Sequence, residues 1–220
     1  AAIVYLLLPA ELRVGVAGAT LLPAFHRNSG LLPLELALLA LVGVAGLAVV
    51  PAVSELVRRG NEGLVRWTAL LATVGYAVSA VSNFLTLGRL PKVADAYVAG
   101  NAATKAAIIP FWRSTLDWQG FWQFAAVGIW IFVVSLLALR SRALVPALAY
   151  AGLALGVLCL LAPIGVIQSN SGLLNVFVVL AIILSPIWYV WIGLVLWDAS
   201  GATLPLGKSM RARIRAPGRG

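Results

Sequence analysis

The sequence predicts an all-α, polytopic transmembrane helix bundle on three observations. Hydrophobic residues make up 62% of the 220 and charged ones only 10%, with a mean hydropathy of +1.00, far from the composition of a soluble domain. The charges stand at the ends of long apolar runs. Several runs between them reach the length of about 20 helical residues that crossing a hydrocarbon layer of about 30 Å requires. A water-soluble globular protein is excluded.

Four uncharged intervals qualify as spans. Glu35 to Glu55 encloses nineteen residues, Arg66 to Arg89 twenty-two, Asp117 to Arg140 twenty-two, and Arg142 to Asp198 fifty-five. The last interval must hold two spans, because Gln168-Ser169-Asn170-Ser171-Gly172 is a polar, turn-forming break that leaves twenty-five residues on either side. A tight helical hairpin is expected there. At the start of the chain, Ala1 to Ala10 is too short to cross, and Glu11 and Arg13 interrupt the apolar stretch beyond it. With no Met and no charged leader before it, Ala1 to Leu8 is expected to be the exit end of a first span truncated in this sequence, or else a processed N-terminus. Residues 14 to 25, with Gly15, Gly18 and Pro23, suit a short re-entrant or interfacial segment.

Sixteen Lys and Arg against seven Asp and Glu give a net charge of +9. One set of loop ends carries Arg58, Arg59, Arg66, Arg140, Arg142, Lys208, Arg211, Arg213, Arg215 and Arg219. The other carries Arg13, Arg27, Arg89, Lys92, Lys105 and Arg113. Basic residues near short loops are retained in the cytoplasm, so the richer side, with the C-terminus, is expected to be cytoplasmic, and that parity asks for six spans. The basic charge therefore reads as topological, with an affinity for anionic lipid, and nucleic acid is not an expected partner. Residues 1–200 read as one membrane domain and 201–220 as a basic cytoplasmic tail.

Residues 89–117 form the one long connection, and long loops usually contain structure. Pro91 suits a first helical turn, Gly100-Asn101 a stop, and Ala102 to Ile109 a second helix, so two short amphipathic helices are expected on the extracytoplasmic surface, followed by an interfacial belt of Phe111, Trp112 and Trp118.

No ionisable residue is expected deep in the hydrocarbon. Glu35 and Glu55 lie at opposite ends of one span where each can reach water, and Glu55 has Arg58 or Arg59 within a turn. The polar groups that do enter a span are Ser79, Ser82, Asn83 and Thr86, whose i, i+3, i+4, i+7 spacing puts them on one stripe. Such a stripe either bonds neighbouring helices or lines a cavity for a small polar or amphiphilic ligand. Gln119, Gln123, Asn175 and Ser185 could join it. Pro51, Pro163 and Pro186 suit kinks, and the pairs Pro33–Pro51 and Pro146–Pro163 give a faint inverted repeat. The sole histidine, His26, is a candidate ligand for a pigment or cofactor, or a solvated interfacial residue. The sole cysteine, Cys159, has no intrachain partner, and no metal site is expected. There is no HExxH, Gly-rich phosphate loop, Gly-x-Ser-x-Gly or intramembrane carboxylate pair, so no catalytic residue is assigned.

Leu116-Asp117-Trp118-Gln119-Gly120 before the fourth span, and Pro186-Ile187-Trp188-Tyr189-Val190-Trp191-Ile192-Gly193 in the sixth, together with the span spacing, resemble a bacterial family of six-span membrane proteins catalogued as a domain of unknown function. The likeness runs from about residue 30 to 197. It implies a bacterial cytoplasmic membrane protein and carries no active-site residues to transfer. The expected function is that of a non-catalytic accessory or assembly subunit of a larger membrane complex, with the lipid bilayer and other membrane subunits as partners. A binding or transport protein for a small amphiphile, a lipid or quinone, is the alternative, and a pigment or cofactor carrier through His26 the third.

Overall fold

The computed structural model describes residues 1–113, 117, 120–168 and 170–199. Within them the chain is helical, and strands are absent among the described residues. Three short elements come first: α1 (Ala2–Leu7), a 3-10 turn (Ala10–Leu12) and α2 (Gly18–Arg27). Five helices long and apolar enough to cross a membrane come after them: α3 (Leu31–Val57), α4 (Glu62–Ala99), α6 (Phe121–Ser141), α7 (Pro146–Ile167) and α8 (Ser171–Ala199), with the shorter α5 (Ala102–Arg113) between α4 and α6. The chain is an all-α membrane bundle in which α4 packs on α3 and α6, α6 on α7, and α7 on α8.

Each of the four charge-free intervals holds its helix, and the 143–197 interval divides at the expected turn, between Ile167 and Ser171. Asparagines set three of the helix starts. Asn61 accepts from the Leu64 N–H (3.1 Å), Asn101 from Thr104 (3.0 Å) and Asn170 from Leu173 (3.0 Å), each satisfying an amide that the first turn leaves unpaired.

Two expectations change. Residues 89–117 do not hold two separate helices: α4 runs without a break through Pro91 to Ala99, and only α5 stands apart. Proline costs one intrahelical bond but its fixed φ is helical, and burial of Leu90 (1% exposed) and Ala94 (0%) in the core holds the helix together across it. At about 1.5 Å per residue, the 38 residues of α4 extend beyond a hydrocarbon layer of about 30 Å. Ala1 to Leu8, expected as the exit end of a truncated span, holds α1, six residues long and about 9 Å of helix. The segment from 14 to 25 is helical over Gly18–Arg27 and packs on α4, burying Leu21, Leu22, Ala24 and Phe25. The interfacial belt is part outside the described residues, at Trp118. Trp112 is 2% exposed and lies in the core, so it does not face the headgroups. The tail 201–220 also lies outside the described residues.

Association of helices in lipid rests on close packing, because lipid tails are as apolar as the helix surface. Glycines supply the close approach. A Cβ on Gly43 would sit 2.8 Å from the Ala80 backbone nitrogen, and one on Gly46 would run into the Tyr76 ring, so α3 and α4 touch nearly backbone to backbone. At the α6–α7 crossing a Cβ on Gly156 would lie 2.8 Å from the Phe132 nitrogen. The outward faces remain apolar: Leu41, Leu47, Leu70, Val74, Phe84 and Val190 are all exposed, as a lipid-facing surface requires.

The basic residues of the α3–α4 and α6–α7 connections meet at one end of the bundle. Gly60, Asn61 and Leu64 line a shallow surface concavity together with Leu137, Arg140 and Ser141. Arg58 there pairs with Glu62 (2.7 Å) and with Glu55 (3.4 Å), and Arg66 with Glu62 (2.7 Å). The Glu55–Arg58 pair is one of the two anticipated.

Glycine replacements test the packing. Gly46→Ala and Gly156→Ala should each destabilise the bundle by about 1–3 kcal/mol through overpacking, whereas Gly88→Ala, with nothing within 4 Å of the added methyl, should be neutral or slightly stabilising. Unfolding temperatures in one detergent check this, and equal effects at the three positions would contradict it.

Candidate functional site

The close α3–α4 contact sets two helix faces opposite each other toward the end of the bundle where the N-terminal segment lies. On α3, one turn in from its start at Leu31, stands Glu35. On α4 the stripe runs from Ser79 (1% exposed) through Ser82 (6%) to Thr86 (8%), with Asn83 half-buried. Between them is a small cavity of about 110 Å³ whose lining includes Glu35, Ser82, Asn83 and Thr86. The stripe is therefore a cavity wall at three of its four positions. Ser79 is not on that lining. It serves Asn83, whose amide donates to the Ser79 carbonyl (2.8 Å) and contacts its hydroxyl (3.4 Å), so that the two residues form one local unit.

The N-terminal segment closes the cavity. Gly15 adopts φ +85° in the turn that Val16 closes onto the Arg13 carbonyl (3.4 Å), a backbone conformation that favours glycine. This returns the chain over Tyr5, Leu8 and Leu12, which line the cavity with Arg13. Arg13 is directed to backbone, its Nε donating to the Leu8 carbonyl (3.0 Å) and its Nη2 to that of Leu6 (3.2 Å). Tyr5 donates to Asn175 Oδ1 (3.1 Å), tying the segment to α8. Arg27 and Glu11 (3.2 Å) brace it at the surface.

Glu35 is the outlier among these groups. It is 2% exposed, and neither carboxylate oxygen has a hydrogen-bond partner among the described residues. The expectation that Glu35 reaches water is overturned: α3 begins only four residues before it, but α1, the 3-10 turn and α2 pack over that end. A buried carboxyl without a partner is costly, several-fold more so if ionised, and such groups inside membranes ordinarily mark function. Asp117, also on the lining, is fully engaged by contrast. Its two oxygens accept from the N–H groups of Trp122 (3.1 Å) and Gln123 (3.0 Å) and so cap α6. Burial pushes its carboxyl above the ordinary value, against the backbone N–H groups of Gln123, Trp122 and Phe121, which pull it down.

The remaining candidates lie elsewhere. His26 Nδ1 sits 3.0 Å from Asp95 Oδ1, both side chains substantially exposed, so the histidine ties α2 to the extended end of α4. It is not on the cavity lining. Gln119 lies outside the described residues. Gln123 meets Asp117 through its backbone, Asn175 accepts from the Tyr5 hydroxyl, and the Ser185 hydroxyl donates to the Ala181 carbonyl. Among the described residues no group of three or more His, Cys, Asp or Glu could hold a metal ion. A larger surface depression of about 560 Å³ at the basic end, lined by Glu55, Leu56, Arg58, Arg59 and Glu62, is open, and its Arg58 pairs with both glutamates, so it lacks the unmet polar demand of Glu35.

Sequence reasoning missed Glu35, Tyr5, Trp112 and Asp117 as site residues. For Glu35 a signal exists: Leu31, Leu32 and Leu34 precede it, so the carboxyl falls inside an apolar helix and not before one.

Residues 1–197 match the family described as "Domain of unknown function (DUF4386)", and the chain belongs to that family. The match begins at residue 1 and not near 30, so the segment that closes the cavity is part of the family domain. No curated protein and no solved structure matches the chain.

Removing an unpartnered buried carboxyl should stabilise the bundle. Glu35→Leu is expected to raise stability by about 1–3 kcal/mol, and Asp117→Ala, which removes a helix cap, to lower it by about 1 kcal/mol. Thermal unfolding of the two variants beside the unaltered protein measures both signs. A loss of stability in Glu35→Leu would mean that the carboxyl has partners.

Proposed function

We propose that this member of the DUF4386 family is a non-catalytic multi-pass membrane protein that binds a small amphiphile. The polar head enters the cavity between α3, α4 and the N-terminal segment, and the apolar remainder lies along the lipid-facing surface. One observation carries the reading: the unpartnered carboxyl of Glu35, buried in a cavity whose other wall offers Ser82, Asn83 and Thr86. Size supports a head group and not a whole ligand, since drug-sized ligands fill about 300–1,000 Å³ and this cavity has about 110 Å³, room for a few waters at about 30 Å³ each. The rest of the lining is largely leucine, including Leu32, Leu36, Leu39 and Leu90, which suits the start of an acyl or isoprenoid tail.

The membrane in question is the bacterial cytoplasmic membrane, with the arginine-rich end and the C-terminus on the cytoplasmic side. Support comes from the common location of Arg58, Arg59, Arg66 and Arg140 at one end of the bundle and from the retention of basic loops in the cytoplasm. The cavity then opens toward the outer leaflet.

A second reading, an accessory subunit of a larger membrane complex, has its own observation. α8 is the least covered of the five spans, and Val176, Leu180, Ile183, Ile187, Val190 and Leu194 form a continuous exposed stripe along it, a face on which another helix could pack.

Native mass spectrometry of the protein extracted in mild detergent tests the first reading. The unaltered chain should retain an amphiphile of defined mass, and Asn83→Leu should lose it. An empty spectrum for both proteins, with a companion polypeptide in its place, would favour the second reading.

A further inference from the structure

We infer that the head group taken by this cavity is a small organic monocation, an ammonium or similar group, with Glu35 as its counter-ion. The inference rests on the ligand-binding reading above and names the chemistry of that site. Two carboxyls, Glu35 and Asp117, and one guanidinium, Arg13, line the cavity, leaving a single formal negative charge. Asp117 is occupied by the α6 backbone and Arg13 by the Leu6 and Leu8 carbonyls, so the unmatched charge falls on Glu35. Both its oxygens are buried and unpartnered among the described residues. A buried carboxylate becomes tolerable when a cation supplies the missing partner. The other walls decide the nature of the cation. A hard metal ion asks for six or more oxygen ligands, whereas Tyr5, Trp112 and leucines dominate here. Aromatic and apolar walls suit a weakly hydrated organic cation, which aromatic rings also attract directly. Ser82, Asn83 and Thr86 can accept from its N–H groups or solvate its substituents.

Two probes that differ only in charge test this: choline, and its uncharged carbon isostere, a dimethylbutanol. Calorimetric titration of the full chain in a maltoside detergent should show choline binding at least about tenfold more tightly than the isostere. Glu35→Gln, which keeps the shape, should erase that preference, and Glu11→Gln, which removes only the surface pair with Arg27, should leave it intact. Equal binding of the two probes, or a preference that survives Glu35→Gln, overturns the cation while leaving a neutral head group in the cavity. Binding of neither probe also overturns it, and the native mass spectrum then decides separately whether any amphiphile occupies the site.

Discussion

The near-contact of the α3 and α4 backbones at Gly43 and Gly46 is the constraint on which the rest of the structure depends. Tyr76 and Ala80 press on those glycines, fixing the antiparallel register of the two helices. Eight residues along α3 from Gly43 and six along α4 from Ala80, rises of about 12 Å and 9 Å, bring Glu35 and Thr86 to similar heights. Any larger side chain at Gly46 would push the helices apart and widen the gap into which Glu35 projects. The cavity is thus a by-product of tight packing below it: the helices are held together where they carry glycine and separate where they carry leucine and polar groups.

Four polar groups on the cavity wall are matched locally. Asn83 bonds back to Ser79, Arg13 to its own segment, Tyr5 to Asn175 and Asp117 to the start of α6. Among the described acidic residues on the cavity wall, Glu35 breaks the rule that membrane interiors pair their ionisable groups. A site that gives Asn83, Arg13, Tyr5 and Asp117 their partners and leaves the Glu35 carboxyl unmet sacrifices stability at that point, which is where a binding protein is expected to be locally inconsistent.

Much of the fold is legible in the sequence because hydrocarbon thickness is a ruler: a run such as Asp117 to Arg140 can do little but cross. The hairpin at Gln168–Asn170 is legible for the same reason, since its polar residues could not sit mid-membrane. The stripe Ser79, Ser82, Asn83, Thr86 is visible as helical periodicity, although its opposite wall is not, because convergence with Glu35 depends on inter-helix register. Glu35 itself misleads the ruler: a charge one turn inside a helix looks like its boundary until another segment folds over it. The continuation of α4 past Pro91 is hidden for a related reason, as the burial of Leu90 and Ala94 that sustains it comes from residues far away in the chain, Leu21 and Leu22 among them.

The register of α3 against α4 is the claim on which the site stands, and disulfide trapping measures it in native membranes. With Cys159 replaced by alanine, cysteines introduced at Gly43 and Ala80 should cross-link under mild oxidation: their Cβ positions would stand 2.9 Å apart, and the shift of the two backbones that the new side chain at Gly43 forces carries them toward the separation of about 3.8 Å that a disulfide takes. Failure of that pair to close, with Gly43→Cys cross-linking instead to a cysteine at Thr73 or Leu87, two turns away in either direction, would place Glu35 against a different part of α4 and dissolve the cavity.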